Sequence, residues 1–282
     1  MILQIQNLAK NYPSFSLGPL SLSLPKGTIM GIIGENGAGK TTIIKSILNI
    51  IHSEQGTIEV FGMDHKQSEK LIKEQVGVVL DESHFHDFLT TAEIGSFMSS
   101  IYKNWNAEKF QSYLTQFQLP AKKTIKTFSR GMKMKLSIAV ALAHEPKLLI
   151  LDEPTSGLDP VVREEILGIF MDFIQDEEHS IFFSSHITSD IEKIADYVTL
   201  LHKGKILLSA SKDDILTKYG IIKLPAKEFS LIDRASYIGY HQTQFGYELL
   251  VKDRHAWKRQ RPGDIIEQPH LDDILIYFVK GA

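Results

Sequence analysis

Apolar and polar residues alternate through "MILQIQNL" and "FSLGPLSLSL", the period-two pattern of strands with one buried face, and "KNYPS" between them reads as the turn. "GTIMGIIG" is instead a continuous apolar run closed by glycine, which predicts a strand covered on both faces. Helical spacing follows in "TTIIKSILNII", and strand patterns return in "GTIEVFG" and "VGVVL". From about Thr91 to Ala143 the pattern is mostly helical, broken at "QLPAKK" by Pro120. Beyond it, "KLLILDEP" predicts a buried strand, "VVREEILGIFMDFIQD" a helix, "SIFFSS" a strand and "SDIEKIADYV" a helix. "VTLLHKGKILLSA" predicts two strands joined at Lys203-Gly204. Strands alternating with helices predict an α/β fold whose mainly parallel sheet is covered on both faces. The texture changes after about Ser211, where short strand-like runs precede a terminal amphipathic stretch, "LDDILIYFVK". The expected organisation is a main domain over 1–210 and a small α+β accessory domain over 211–282. No internal repeat or low-complexity segment interrupts it.

Composition narrows the classes. At 282 residues, 43% hydrophobic and 23% charged, the chain has the make-up of a globular protein with one large domain, or one plus a smaller companion. A formal net charge of −3 gives no electrostatic reason to expect nucleic acid as a partner. The absence of cysteine excludes disulfides and thiolate metal sites and fits a reducing compartment. "MILQIQNLAK" lacks the basic start and long apolar run of a signal peptide, and no apolar stretch approaches the roughly 20 residues that cross a bilayer. A soluble, cytoplasmic protein is expected.

The candidate chemistry begins at "GENGAGKTT", Gly34 to Thr42, which matches G-x4-G-K-S/T between a predicted strand and a predicted helix. Gly34, Gly37 and Gly39 let backbone N–H groups turn inward around phosphates, Asn36 and Ala38 lie in the same loop, and the helix adds its positive end. Lys40 suits neutralisation of β- and γ-phosphate charge, and the Thr41 hydroxyl suits Mg²⁺. "LLILDEP" then delivers Asp152 and Glu153 to the carboxyl end of a buried strand, where open α/β sheets bind ligands. Asp152 suits the metal shell and Glu153 the polarisation of a water. Either motif alone also describes an ordinary turn; together they point to a nucleoside triphosphate.

Four further pieces occur in order: Tyr12, "FSRGM" (128–132), "SGLD" (156–159) and "SSH" (184–186). With these, residues 1 to about 210 resemble the ATPase subunit of an ATP-binding cassette transporter. The resemblance implies a P-loop NTPase fold with an antiparallel β subdomain and a helical subdomain at about 82–143. It implies ATP and Mg²⁺ as ligands, with Tyr12 stacking on adenine and Lys40, Thr41 and Thr42 holding phosphates and metal. Asp152 becomes the magnesium acid, ligating directly or through water, Glu153 the base for hydrolysis, His186 the γ-phosphate sensor, and Asp159 part of a loop that communicates across a dimer. In "FSRGMKMKL", Ser129 and Gly131 match the family's LSGGQ signature, while Phe128, Arg130 and Met132 depart from it. That signature grips a phosphate held by the opposite subunit, so the implied partners are a second nucleotide-binding subunit, identical or paralogous, and an integral membrane permease. The implied location is peripheral, on the inner face of the cell membrane.

"VVLDESHFHDFLT", residues 78–90, takes the place of the family's glutamine loop, with Asp81 standing where glutamine is usual and Glu82 following. A carboxylate binds magnesium more strongly than an amide but donates no hydrogen bond, so Asp81 enters as both a catalytic and a metal candidate. Phe85, His86, Phe88 and Leu89 are candidates for the permease-facing surface. His84 and His86, two residues apart with no third nitrogen or sulfur ligand nearby, do not describe a transition-metal site. "WKRQR" (257–261) reads as a solvated hairpin rather than a lipid-binding patch, and "HLDDILIYFVKG" resembles the closing helix of bacitracin-exporter-like ATPases. The leading expectation is thus the engine of an exporter of peptides, drugs or lipids. A soluble cassette acting on ribosomes or DNA fits less well, because only about 48 residues separate Asp81 from Ser129 and leave no room for the usual insertions. A poorly hydrolysing regulator is the third reading, resting on Asp81 and Arg130.

Overall fold

The computed structural model describes residues 1–81 and 85–280. The alternating N-terminal runs form β1 (Leu3–Tyr12) and β2 (Phe15–Leu24), an antiparallel hairpin turning at Pro13-Ser14. β3 (Ile29–Ile33) is buried throughout, and α1 (Lys40–Ile47) follows the glycine-rich loop. β4 (Gln55–Val60) and β5 (Met63–Asp64) complete an antiparallel sheet of order β2-β1-β4-β5. Next come α2 (Glu69–Lys73), β6 (Val76–Val79), α3 (Thr91–Ile101), α4 (Ala107–Gln116) and α5 (Arg130–Ala143). The main layer is finished by β7 (Leu148–Asp152), α6 (Pro160–Phe173), β8 (Ser180–Ser185), α7 (Thr188–Ile194), β9 (Tyr197–His202) and β10 (Lys205–Ser211).

Six strands form the central sheet in the order β10-β9-β3-β8-β7-β6, parallel except for the β9–β10 hairpin. The continuous apolar runs are explained by two cores. Ile29, Ile33, Leu149, Leu151, Ile181 and Phe183 face one of them, together with α5, α6 and α7. Met30, Ile32, Leu148, Ile150 and Phe182 face the other, with α1 and the antiparallel sheet. Each fully buried Leu, Ile or Phe contributes about 1.5–3 kcal/mol of transfer free energy. Because β3, β7 and β8 are adjacent and parallel, their carboxyl ends bring Gly34, Asp152-Glu153 and His186 to one edge.

Between β6 and β7 the chain is helical as expected. Thr90 and Glu93 form a capping box on α3, and Asn106 caps α4 by accepting from Lys109 N. The helix expected over 189–198 stops at Ile194. Asp196 exchanges bonds with Ile29, its carboxylate accepting from Ile29 N at 2.9 Å and its own N–H donating to Ile29 O, which draws Tyr197 into strand register.

The tail contains α8 (Lys212–Lys218), β11 (Gly220–Leu224), α9 (Ala226–Phe229), β12 (Gly239–Thr243), β13 (Gly246–Val251), α10 (Arg254–Gln260), β14 (Ile265–Glu267) and α11 (Leu271–Lys280). Its antiparallel sheet has the order β12-β13-β11-β14. One face buries Ile222, Leu224, Leu249 and Val251 against Trp257. The other places Ile221 and Leu250 in the same core as Ile191, Ile194 and the α11 residues Leu271, Ile274 and Tyr277. The hairpin expected at "WKRQR" is instead helix α10 with Arg261 behind it. Asp253 caps that helix, and Trp257 is its buried anchor, with its indole N–H donating to Asp264 at 2.8 Å.

Candidate nucleotide site

The strand–loop–helix at Ile29–Ile47 holds its loop by backbone contacts. Gly204 N donates to Ala38 O at 2.9 Å, so the β9–β10 turn braces the loop from behind. Gly34 packs against Leu201, whose carbonyl oxygen would lie 2.4 Å from any Cβ added there. Gly37 and Gly39 have φ of +81° and +112°, in the region that favours glycine, and no heavy atom lies within 4 Å of a Cβ built on Gly37. The loop therefore curls with open space over its crest. Asn36 and Thr41 are exposed, Thr42 is half-buried, and Ala38 is buried.

Lys40 is only 6% exposed, and its ammonium is spoken for. It donates to Gly34 O at 2.7 Å and Glu35 O at 3.3 Å and lies 3.1 Å from Glu153 Oε1. That carboxylate oxygen is buried and close to the lysine but receives no well-aligned hydrogen bond. Glu153 Oε2 is better served, accepting from His186 N at 3.2 Å and lying 2.7 Å from His186 Nδ1. Glu153 adopts φ +51°, unusual for a non-glycine residue, at the turn leaving β7. One continuous chain, Lys40–Glu153–His186, thus runs from the phosphate loop to the end of β8.

Ser184 supports this chain; the sequence placed it in "SSH" but assigned it no role. It lies in register with Asp152, donates its hydroxyl to Asp152 Oδ1 at 2.6 Å, and accepts from Glu153 N at both its carbonyl and its hydroxyl. Two serines ending the otherwise apolar strand "IFFSS" are the signal that was available. Farther out, Thr155 donates to Asp190 Oδ2 at 2.6 Å, and Arg163 bonds the same carboxylate, tying the turn after Glu153 to α7. Asp190 is 1% exposed, so these partners satisfy a buried charge.

A cleft of about 730 Å³ collects Tyr12, Asn36, Gly37, Ala38, Gly39, Lys40, Thr41, Thr42, Asp81 and Glu153 among its walls. Phe15, also missed from sequence, lines it beside Tyr12, their ring centroids 6.4 Å apart. Ser129, Gly131 and Asp159 are not part of this lining. Ser129 caps α5, accepting from Met132 N at 3.2 Å, and Asp159 caps α6, accepting from Val161 N and Val162 N at 3.1 Å. A Cβ on Gly131 would sit 3.3 Å from Val162, so the two helix starts adjoin on a separate exposed surface. Asp81 is ion-paired with Arg130, Nη2 to Oδ1 at 2.8 Å.

The residues present fit a magnesium nucleotide. The loop crest is open, Thr41 and Asp81 present oxygens on the cleft wall, and Asp152 directly precedes Glu153 at the end of β7; oxygen is the donor a hard divalent cation prefers. Glu82 and His84 lie outside the described residues. His86 is exposed and stacked on Phe88, and among the described residues no group of three metal-ligating side chains converges. A second groove, about 390 Å³ and mainly apolar, is lined by Phe85, His86, Leu89, Phe97, Met98 and Tyr102, with Phe88 left 73% exposed beside it.

A family model described as ABC transporter matches residues 17–156. The chain is 39% identical over 210 residues to the bacitracin transport ATP-binding protein of Bacillus licheniformis, covering 73% of this chain and 68% of that protein. It is 34% identical over 221 residues to a lantibiotic transport ATP-binding protein of Streptococcus pyogenes, covering 75% and 92%. A solved ATP-binding subunit of an ABC transporter superposes with a TM-score of 0.69 at 26% identity, covering 82% of this chain and 94% of that one. A dimeric cassette in a post-hydrolysis state, bound to ADP and phosphate, gives a TM-score of 0.68 at 18% identity over 74% and 98%, a likeness of fold alone.

Proposed function

The chain belongs to the ABC transporter family as one of its ATP-binding, ATP-hydrolysing subunits, and we propose that it powers a separate membrane permease that exports peptides, drugs or lipids. Relatives named for bacitracin and lantibiotic transport favour peptide antibiotics as cargo. No helix of the described residues is long and apolar enough to cross a membrane, and in this reading the permease supplies the path. The apolar groove at Phe85, Leu89 and Phe97 suits a helix end presented by that permease. The chain then works at the cytoplasmic face of the membrane.

The observation that carries the chemistry is the Lys40–Glu153–His186 chain opening on the cleft. Lys40 exchanges its loop carbonyls and Glu153 for phosphate oxygens when ATP binds. Glu153, released on one oxygen and held by His186 on the other, takes a proton from the attacking water. His186 fixes the carboxylate, and its side chain, 42% exposed, is the one that meets the γ-phosphate in this reading. Bound magnesium would draw charge from the β- and γ-phosphates, with Thr41 and Asp152 as its oxygen donors. Tyr12 stacks on the base. Ser129, Gly131 and Asp159, standing apart from the cleft, serve a nucleotide held by a second subunit, so the working unit is a dimer with two shared sites. Residues 211–282 are an accessory domain in this reading.

Co-expression with candidate multi-helix permeases of the bacitracin- and lantibiotic-transport type tests the proposal. A stable complex whose permease raises Mg²⁺-dependent phosphate release is expected. A chain that forms no complex and turns over ATP at the same rate with and without the permease overturns it.

A further inference from the structure

Two departures from the family pattern, 49 residues apart, touch each other: Arg130 Nη2 donates to Asp81 Oδ1 at 2.8 Å. Asp81 follows β6 and stands on the wall of the nucleotide cleft. It also lines the adjoining cavity of about 460 Å³, which Arg130, Lys133 and Met134 share. Arg130 is the first residue of α5, directly between Ser129 and Gly131. Its guanidinium lies over Gly157, where an added Cβ would come within 2.8 Å of Nη1 and where φ is +67°, so glycine leaves the room it occupies. Gly157 belongs to the turn that leaves β7 after Glu153. One side chain thus ties the start of α5 to both segments that carry cleft residues.

We propose that Asp81 and Arg130 act as a single positioning unit that sets Ser129 and Gly131 relative to the nucleotide cleft and neutralises the cleft wall. The proposal rests on the reading above that Ser129 and Gly131 meet nucleotide. Two arguments support it beyond the contact. Both side chains are about half exposed, at 51% and 47%, and such pairs contribute little to fold stability; what this one fixes is location. Charge gives the second argument. A lone carboxylate at Asp81 would face the phosphates, whereas the Asp81–Arg130 pair presents no net charge, as the glutamine usual at that place would. One turn along α5, Lys133 holds Asp87 at 2.9 Å, so the loop beginning at Asp81 is fastened to the same helix at its far end too. Asp81 is thereby assigned to positioning through Arg130 rather than to independent metal ligation.

The test is a double-mutant cycle on the full chain with Asp81→Gln, Arg130→Gln, the double variant and Arg130→Lys. Arg130→Gln exposes the carboxylate, and fluorescent ATP-analogue titration should read several-fold weaker binding. Each single Gln variant should lose roughly tenfold in turnover through misplacement of the signature turn. The double variant, neutral again, should recover binding and lose no more turnover than either single, Arg130→Lys should stay close to wild type, and the thermal midpoints should move little. Effects that simply multiply overturn the proposal. So does a shift in the Mg²⁺ half-saturation with Asp81→Gln that Arg130→Gln does not share. If wild type hydrolyses no ATP, the engine reading fails, while the binding arm still reports on the pair.

Discussion

Replacing Glu153 by glutamine changes apo stability, nucleotide affinity and chemistry at once, and the three respond in different directions. Without nucleotide, the carboxylate lies 3.1 Å from Lys40 Nζ and 2.7 Å from His186 Nδ1, with its side chain only 11% exposed. Losing hydrogen bonds to a charged group costs about 1–3 kcal/mol, so the variant's thermal midpoint should fall in the absence of ATP. With ATP the sign reverses. A carboxylate about 5 Å from a phosphate charge, at an effective dielectric of about 20, is repelled by about 3 kcal/mol, and the amide removes that repulsion. Nucleotide should therefore bind up to ~100-fold more tightly, and the ATP-induced rise in midpoint should exceed that of wild type. Chemistry suffers independently: removing a general base lowers turnover ~10²–10⁴-fold, or about 3–5 kcal/mol of barrier. Phosphate release and thermal scanning with and without Mg-ATP measure all three quantities. Wild-type turnover in the variant refutes the base assignment. Equal ATP stabilisation of variant and wild type refutes the electrostatic argument.

Other perturbations follow from the same geometry. Gly34→Ala drives a methyl to within 2.4 Å of Leu201 O, so ATP-analogue binding should be lost along with thermal stability; wild-type affinity would show that the loop gives way. Phe97→Ser changes an exposed residue of the apolar groove; stability should stay within ~0.5 kcal/mol while capture by the permease drops at least ~10-fold by the loss of one anchor, and unchanged capture removes the groove from the interface. His144 is buried and stacked on Tyr102 at 4.0 Å, and burial pushes its imidazole below the ordinary 6.5, against the pull of the Val140 and Val76 carbonyls. Its contribution is complete above the unfolded value near 6.5 and is lost as pH falls towards the lower folded value. The midpoint should thus fall between pH 7 and 5, and His144→Asn should flatten that slope; an identical slope refutes the assignment.

The sheet and the phosphate loop were legible because their causes are local. Runs such as "LLIL" and "IMGII" carry only apolar residues where both faces are covered, and the chemistry sits just after each run. Ser184 was hidden because its role depends on register with Asp152, fixed by a parallel crossover rather than by spacing. The Asp81–Arg130 pair was hidden for a related reason: two charged residues 49 apart leave no periodic trace. At "WKRQR" the four cationic and polar neighbours masked the one residue that decides the structure, the buried Trp257. The terminal amphipathic stretch announced a helix but not its neighbour, and α11 proves to lie on α7, with Glu192 accepting from His270 and from Leu271 N.

The placement of β3 between β8 and β9 has a consequence for synthesis on the ribosome. The strand is complete at residue 33, yet its first neighbour begins at residue 180. At ~5–20 residues per second, the intervening stretch takes roughly 7–30 s to emerge. During that interval the antiparallel sheet, finished by residue 64, is able to close, while the apolar edges of β3 have nothing to pair with. A nascent chain stalled before β8 should therefore carry an ordered first sheet, bind chaperones, and bind no nucleotide.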